Sequence, residues 1–357
     1  GEARLTRRET ALAAVAAFLT PQTPSQTTKG FGMNTIARIT SICQNGEWHP
    51  TVEANRNVML ARAEKALSTK PDLICLPEAF TSVGVPGDAR ASAEAVPGPT
   101  TDAFAALARR AHCYVLCPIH TIHGNRIHNS AVLIGRDGGI VGMYHKHCPV
   151  TSSADYTVFE NGVIPGAEIP VFDLDFGRVG VQICFDLGFQ ENWKALADKG
   201  ARLVIWTSAY DGGFPLQAYA YLHHYWVVTS TRSQRSRIVD PCGEIVAETN
   251  GSEAMVARPV NLDYIVSHLD WNMAIPDRIA GKYGNRVSVR QWVRGSSHFI
   301  VEPLDPSVKI EDLQREFGFE PTELYHDRHR RAYPAVRAGK RPRSQKALHG
   351  NRPQWGT

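Results

Sequence analysis

Apolar and polar positions along the chain follow two different periods. Short apolar runs rich in β-branched residues predict buried strands, and longer stretches with apolar residues every three or four positions predict helices between them. The predicted strands cover residues 35–43, 73–76, 114–118, 179–184, 203–207 and 226–231, and the predicted helices cover residues 52–68, 101–112, 190–199 and 216–224. Strands that alternate with helices in this way indicate an α/β fold.

In the middle of the chain, the pattern predicts antiparallel pairing. Two apolar runs, 130–134 and 140–144, flank the turn sequence Arg-Asp-Gly-Gly at 136–139. Asp-Gly supplies the positive φ angles that a tight hairpin turn needs. A second turn of this kind at 241–243 leads into a predicted strand at 244–248. The sheets are therefore expected to be mixed.

Both ends of the chain differ in composition from its body. Residues 20–32 are polar with Pro and Gly, which is typical of a linker, and beyond about residue 305 the periodicity degrades and Arg, Lys and Pro accumulate. We therefore predict a leader and linker at 1–32, one large domain at 33–305 and a basic C-terminal extension at 306–357. The end of this extension is expected to be exposed or to contact a partner.

The first residues resemble a twin-arginine export signal. Arg7 and Arg8 precede a short apolar run at 11–19 and a polar stretch, which is the order of segments in such signals. This order slightly favours export to the periplasm; the alternative is an uncleaved leader on a cytoplasmic protein. The run is too short to cross a bilayer, so no membrane span is predicted.

The net charge of +4 is concentrated in the tail. Residues 326–346 hold eight Arg or Lys against one Asp, a net +7, which leaves −3 for the rest of the chain. A slightly acidic body argues against nucleic acid as a partner. Binding of nucleic acid through the basic tail alone remains the alternative.

The cysteines and histidines predict neither a disulfide framework nor a metal site. The seven cysteines are odd in number, and most lie in or beside apolar runs. The chain has no CxxC or HExxH motif, and His145, His147 and the pair His223 and His224 lack a third ligand at a suitable spacing. No metal or organic cofactor is therefore expected.

Three polar residues follow apolar strands, where sites gather in α/β sheets. Cys184 stands between a strand and a helix, where a thiol can have a lowered pKa and act as a nucleophile. Glu78 could serve as a general base if burial raised its pKa towards neutrality, and Lys146 could stabilise an oxyanion. Taken singly, each has an ordinary alternative: an inert cysteine, a surface glutamate and a solvated lysine.

The order of the three motifs is more specific than any one of them. A strand ending in Pro-Glu at Glu78, a hairpin ending in Tyr-x-Lys at Lys146, and Gly-Val-x-Ile-Cys-x-Asp at Cys184 resemble the nitrilase, or carbon–nitrogen hydrolase, superfamily from about residue 36 to 269. The resemblance implies an α/β fold of one type, a four-layer αββα sandwich. It also implies a homo-oligomer.

The resemblance assigns a role to each residue. Cys184 is the nucleophile, Glu78 the general base and Lys146 the residue that stabilises the tetrahedral intermediate. Glu160, 24 residues before Cys184, matches a second family glutamate that orients Lys146 and the substrate nitrogen. The backbone N–H of Phe185 completes the oxyanion site.

The resemblance implies hydrolysis of a small-molecule amide or N-carbamoyl group through a cysteine thioester. Trp206 and Tyr210 are candidate substrate-binding residues, although aromatic side chains there also suit a core. Phe-Asp at 185–186 is closer to amidases and carbamoyl hydrolases, whereas Lys-His-Cys-Pro at 146–149 resembles the nitrilase side. The alternatives are a nitrilase and a non-catalytic scaffold of the same fold.

Overall fold

Two six-stranded sheets form the centre of the fold, in a computed structural model that describes residues 35–233 and 235–345. The predicted leader and linker, residues 1–32, lie outside the described residues. The strands are β1 (Ile36–Ile42), β2 (Leu73–Cys75), β3 (Tyr114–His123), β4 (Arg126–Ile134), β5 (Ile140–His145), β6 (Val171–Leu174), β7 (Gly177–Ile183), β8 (Leu203–Ser208), β9 (Trp226–Thr231), β10 (Arg237–Val239), β11 (Ile245–Glu248), β12 (Met255–Asn261), β13 (Ile265–His268), β14 (Val287–Gln291) and β15 (His298–Pro303). The helices are α1 (Val52–Ala66), α2 (Pro99–Ala111), α3 (Gln190–Asp198), α4 (Phe214–His223), α5 (Ile275–Tyr283), α6 (Ile310–Phe317) and α7 (Thr322–Arg337).

Both large sheets are mixed, as the hairpin pattern predicts. The first has the order β12-β1-β2-β3-β4-β5 and the second β11-β10-β9-β8-β7-β6. In each sheet three central strands run parallel, β1-β2-β3 and β7-β8-β9, and the outer strands pair antiparallel. The predicted hairpin turn is present, with Gly138 at φ +82° between β4 and β5.

Burial of apolar side chains gives the four layers. The inward faces of the two sheets share one core, to which Ile39 contributes from the first sheet and Val181 from the second. On the outside, Phe104 of α2 packs on the first sheet together with side chains of α1. Trp193 of α3 and Leu216 of α4 pack on the second sheet. The predicted αββα sandwich is therefore confirmed.

Strand β3 is longer than its apolar run indicates. The prediction ends at residue 118, but β3 continues to His123 because its polar residues find partners inside the protein. The hydroxyl groups of Thr121 and Ser130, on the paired strand β4, lie 2.6 Å apart. Apolar periodicity cannot indicate a strand whose buried positions are polar.

The region after residue 305 contains regular structure that its composition does not predict. Helix α6 packs, together with α5, against a third sheet of order β13-β15-β14 that precedes residue 305, and Leu313 and Phe317 of α6 lie in the shared core. Helix α7 follows and leaves most of its side chains partly or fully exposed. Within the described ranges, no helix has both the length and the apolarity that a bilayer crossing requires.

The start of α7 is held by an ion pair that we expect to stabilise the C-terminal region. Glu320 has no solvent exposure, and its carboxylate accepts hydrogen bonds from the guanidinium of Arg328. Arg328→Met keeps most of the side-chain length but leaves the carboxylate buried without its cation. The free energy of unfolding is expected to fall by about 3 kcal/mol in urea denaturation.

A matched control for this substitution is Arg330→Met on the same helix. Arg330 pairs with Asp327, and its side chain is 67% exposed, so its loss should have little effect on stability. Equal stability losses in the two variants would contradict an anchoring role for the buried pair. The double variant Glu320→Gln with Arg328→Met should recover part of the loss.

Candidate active site

The four residues predicted to carry the chemistry come together at the ends of strands from both large sheets. Glu78 follows β2, Lys146 follows β5 and Cys184 follows β7, while Glu160 lies in the loop between β5 and β6. Glu78 and Lys146 are almost completely buried, at 3% and 1% exposure. Cys184 and Glu160 keep partial exposure, so the site opens to solvent on their side.

A hydrogen-bond network joins the charged residues. The ammonium of Lys146 donates to Glu78 Oε1 over 2.9 Å and also to Glu160 Oε1. The side-chain amide of Asn129 donates to Glu78 Oε1 over 2.8 Å and to Glu160 Oε2 over 3.1 Å. One cation and one amide thus bridge the same two carboxylates.

Asn129 is a functional candidate that the sequence patterns do not single out. It lies on β4, and its carbonyl accepts a hydrogen bond from the Lys146 backbone N–H over 2.8 Å. The pairing between β4 and β5 therefore continues to the lysine and fixes the start of its side chain. A buried asparagine inside an apolar strand is the signal that could have indicated this role.

Cys184 has a strained backbone conformation. It opens a short 3₁₀ helix, Cys184–Gly188, with φ at +46°, a region that residues other than glycine rarely adopt and that is concentrated at functional sites. The indole of Trp206 donates to the Cys184 carbonyl over 3.0 Å and supports the turn from the core. The Ala209 N–H and the Ser208 side chain lie within hydrogen-bond reach of the thiol.

The pKa of Glu78 lies below its usual value, whereas a general base poised near neutrality would have a raised pKa. Burial alone would raise its pKa, but the Lys146 ammonium and the Arg232 guanidinium outweigh burial and lower the pKa to about 2. Arg232 also donates from Nε to the Glu78 carbonyl. Glu78 is therefore a carboxylate at neutral pH, and burial does not raise its pKa towards neutrality.

The thiol and the ammonium both keep their protons. Burial and the Glu78 charge raise the pKa of Cys184 to about 11, although Lys146 partly opposes them. Burial would lower the pKa of Lys146, but Glu78 and Glu160 raise it above its usual value. The resting site thus contains a neutral thiol whose pKa is raised in part by the negative charge of Glu78.

The aromatic candidates occupy different environments. Trp206 is fully buried in the core beneath α3 and α4, so any influence on a substrate would pass through Cys184. Tyr210 is 43% exposed, and burial together with the charges of Cys184 and Glu78 raises its pKa. The Phe185 ring is 42% exposed and packs edge-on against Phe189, while its backbone N–H lies in the first turn of the 3₁₀ helix.

An open cavity of about 400 Å³ lies beside the segment at the end of β8, whose residues Ser208 and Ala209 are within hydrogen-bond reach of the Cys184 thiol. Its lining residues are Asn45, Gly46, Asp211, Ser233, Arg235 and Gly251. The Ser233 hydroxyl donates to the carbonyl of Ala209 over 3.0 Å, which joins the cavity wall to the neighbourhood of Cys184. Among the described residues, no group of three His, Cys, Asp or Glu side chains could hold a metal ion.

The sequence matches the family model described as carbon–nitrogen hydrolase over residues 39–267, well over half of the chain. The chain belongs to the carbon–nitrogen hydrolase family. The omega-amidase NIT2-A of Xenopus laevis is 25% identical over 244 residues, which cover 60% of this chain and 86% of that protein. The predicted membership of the nitrilase superfamily is confirmed.

Solved structures of this superfamily share the fold. Saccharomyces cerevisiae Nit3, a member of the nitrilase superfamily, aligns with a TM-score of 0.55 at 20% identity, covering 63% of this chain and 90% of Nit3. A mutant amidase of Nesterenkonia sp. AN1, whose active-site cysteine carries the acetamide moiety of fluoroacetamide, aligns with a TM-score of 0.55 at 17% identity and the same coverage. Together with the omega-amidase similarity, family membership supports carbon–nitrogen bond hydrolysis by an amidase-type enzyme.

The kcat/KM of this carbon–nitrogen hydrolase is expected to be independent of pH over a wide range. With pKa values of about 2 for Glu78 and about 11 for Cys184, carboxylate and thiol coexist at every pH between them. Activity falls as the pH drops through the Glu78 pKa, because the base becomes protonated, and it changes again when Cys184 ionises. Since kcat/KM reports the free enzyme, we expect a plateau from about pH 4 to about pH 9.

This profile is measured as kcat/KM across buffers of constant ionic strength, with circular dichroism at each pH to follow folding. Two inflections between about pH 5 and pH 8 in a folded protein would contradict the charge state inferred for the pair.

Proposed function

We propose that this protein hydrolyses the carbon–nitrogen bond of a small linear amide or N-carbamoyl compound through a thioester on Cys184. The observation that carries the proposal is the buried Glu78–Lys146–Glu160 network beside a cysteine at positive φ. A nucleophile, a base and an oxyanion-stabilising cation are the groups that acyl transfer needs.

Acylation begins with a proton transfer inside the site. Glu78 takes the thiol proton of Cys184 as the sulfur attacks the carbonyl carbon, so the thiolate forms only as the new bond forms. The negative charge that develops on the carbonyl oxygen is stabilised by the Lys146 ammonium and the Phe185 N–H. Glu78 then gives its proton to the nitrogen of the tetrahedral intermediate, the carbon–nitrogen bond breaks, and ammonia or an amine departs and leaves the thioester.

Deacylation repeats the sequence with water as the nucleophile. Glu78 takes a proton from water, the hydroxide attacks the thioester carbon, and Lys146 again stabilises the oxyanion. The proton returns to the Cys184 sulfur as the carboxylic acid leaves. The depressed pKa of Glu78 keeps it ionised at the start of each half-reaction.

Glu160 has a supporting part in this proposal. Its carboxylate accepts from Lys146 and from Asn129, and also from the Val150 N–H over 3.2 Å. These bonds hold the ammonium beside Glu78, while the partly exposed side of Glu160 faces the solvent through which a substrate nitrogen would arrive. Tyr210, at 43% exposure, is more accessible to a substrate than the buried Trp206.

Trapping of the acyl-enzyme tests the proposal. A short aliphatic amide, mixed with the protein and quenched in acid, is expected to add the mass of its acyl group to the peptide that contains Cys184. Cys184→Ala should remove both this adduct and ammonia release while the fold is retained, because a methyl group replaces the thiol with little loss of packing. Liquid chromatography with mass spectrometry and an ammonia assay measure the two outcomes.

A buried thiol outside the site provides the matched control. Cys113, between α2 and β3, has no solvent exposure, and Cys113→Ala should keep both the adduct and ammonia release. Turnover that survives in Cys184→Ala would disprove the nucleophile assignment. A wild-type protein without turnover on amides, N-carbamoyl compounds or nitriles would support the scaffold alternative.

The amide is expected to be preferred over the nitrile with the same side chain. Attack on an amide produces an oxyanion at once, which Lys146 and the Phe185 N–H can stabilise, whereas attack on a nitrile produces a nitrogen that must first be protonated. We expect kcat/KM for the amide to exceed that for the matched nitrile by about tenfold or more, or roughly 1.4 kcal/mol. A tenfold preference for the nitrile would make the protein a nitrilase.

A further inference from the structure

A buried carboxylate outside the charged network joins the two segments that carry the nucleophile and the cation. Asp186 has no solvent exposure. Its Oδ2 accepts from the Tyr144 hydroxyl over 2.6 Å and from the Ile183 N–H over 2.9 Å, and its Oδ1 accepts from the Cys148 N–H over 2.8 Å. Ile183 belongs to residues 183–188, which we call the nucleophile turn, and Cys148 belongs to residues 146–149, which we call the lysine loop.

We infer that Asp186 is a positioning residue that holds the nucleophile turn and the lysine loop at one fixed separation. Cys184 precedes Asp186 by two residues, and Lys146 precedes Cys148 by two residues. The bond between Asp186 and Cys148 therefore links the two catalytic segments with few intervening rotations. This inference rests on the proposed amide hydrolysis, because it assigns Asp186 a part in the same site.

The same carboxylate stabilises the unusual conformation of the nucleophile. Cys184 at φ +46° lies between Ile183 and Asp186, and the Ile183 N–H is tied back to the Asp186 side chain. Such a conformation is unfavourable for residues other than glycine and persists only where the surroundings impose it. The Asp186 bond closes the turn around the cysteine and keeps its thiol at the end of β7.

Tyr144 extends this connection to the rest of the lysine loop. Its hydroxyl donates to Asp186 and accepts from the His147 N–H over 3.2 Å and from the Gln182 side chain over 3.3 Å. The Tyr144 hydroxyl therefore connects Asp186 to the lysine loop through the His147 N–H, and to β7, the strand that leads to Cys184, through Gln182. A buried carboxylate that meets only neutral donors is costly for folding, which favours a role in the site over a role in stability.

Asp186→Asn tests the inference with little change in side-chain size. The side-chain oxygen of the new asparagine is expected to take the place of Oδ2, because the Tyr144 hydroxyl and the Ile183 N–H both donate there. Its NH₂ group then faces the Cys148 N–H, another donor, and the hydrogen bond to Cys148 is lost. We expect kcat to fall by about 100-fold with KM within about threefold of wild type, because binding persists while the reacting groups are misplaced.

A stability-matched control separates positioning from general destabilisation. Arg328→Met lies in α7, outside the site, and should keep the wild-type kcat well below its Tm. Thermal denaturation of both variants sets the assay temperature. An Asp186→Asn enzyme with kcat within about threefold of wild type overturns the inference, and so does a kcat loss no larger than that of Arg328→Met.

Two further measurements keep the inference testable. If Asp186→Asn does not fold, Tyr144→Phe removes one donor from the same carboxylate and should lower kcat by about tenfold; an unchanged kcat overturns the inference. Hydrogen exchange of the lysine loop needs no substrate, and the Cys148 amide should lose protection in the Asp186→Asn variant. Unchanged protection of the Cys148 amide overturns the inference, whether or not the wild-type protein hydrolyses an amide. Absence of amide hydrolysis by the wild-type protein contradicts only the proposed function.

Discussion

The buried ammonium of Lys146 is the interaction on which the site depends. A cation with 1% exposure is unfavourable unless carboxylates and hydrogen bonds surround it. Glu78 and Glu160 supply the charges, and Asn129 ties the two carboxylates to each other. Loss of either carboxylate would leave part of a buried charge uncompensated, and Lys146 and Glu78 hold each other in their ionic forms.

This arrangement separates the pKa values of the base and the nucleophile. The cations Lys146 and Arg232 hold Glu78 in its ionised form, and burial together with the Glu78 charge keeps the proton on Cys184. Two neighbouring groups with opposite shifts are suited to acid–base work, because each starts the reaction in the form it needs. In the proposed reaction, the nucleophile would form by proton transfer from Cys184 to Glu78 and would not require a preformed thiolate.

Neither sheet builds this site alone. Glu78 and Lys146 come from the first sheet and Cys184 from the second, and hydrogen bonds cross the interface between the sheets. The Ser41 hydroxyl of β1 donates to the Thr229 carbonyl of β9, and the Ser230 hydroxyl donates to the Ile42 carbonyl. The close packing of the two inward faces keeps the catalytic ends of the strands together.

The sequence by itself determined the alternation of strands and helices and the choice of Glu78, Lys146 and Cys184 as candidates, and the family resemblance added Glu160. Periodicity is a property of short stretches of sequence and motif order is a property of the chain, so both can be read without a structure. The tertiary structure alone decided that Asn129 joins this site and that Asp186, the aspartate of the cysteine motif, binds the lysine loop. It also placed Trp206 in the core and formed α6 and α7 after residue 305. It also decided the direction of the pKa shifts, which is downward for Glu78 and upward for Cys184. The physical reason is that burial and charge–charge distances depend on residues far apart in the chain, such as Glu78 and Lys146, which only the assembly of the first sheet brings within 2.9 Å.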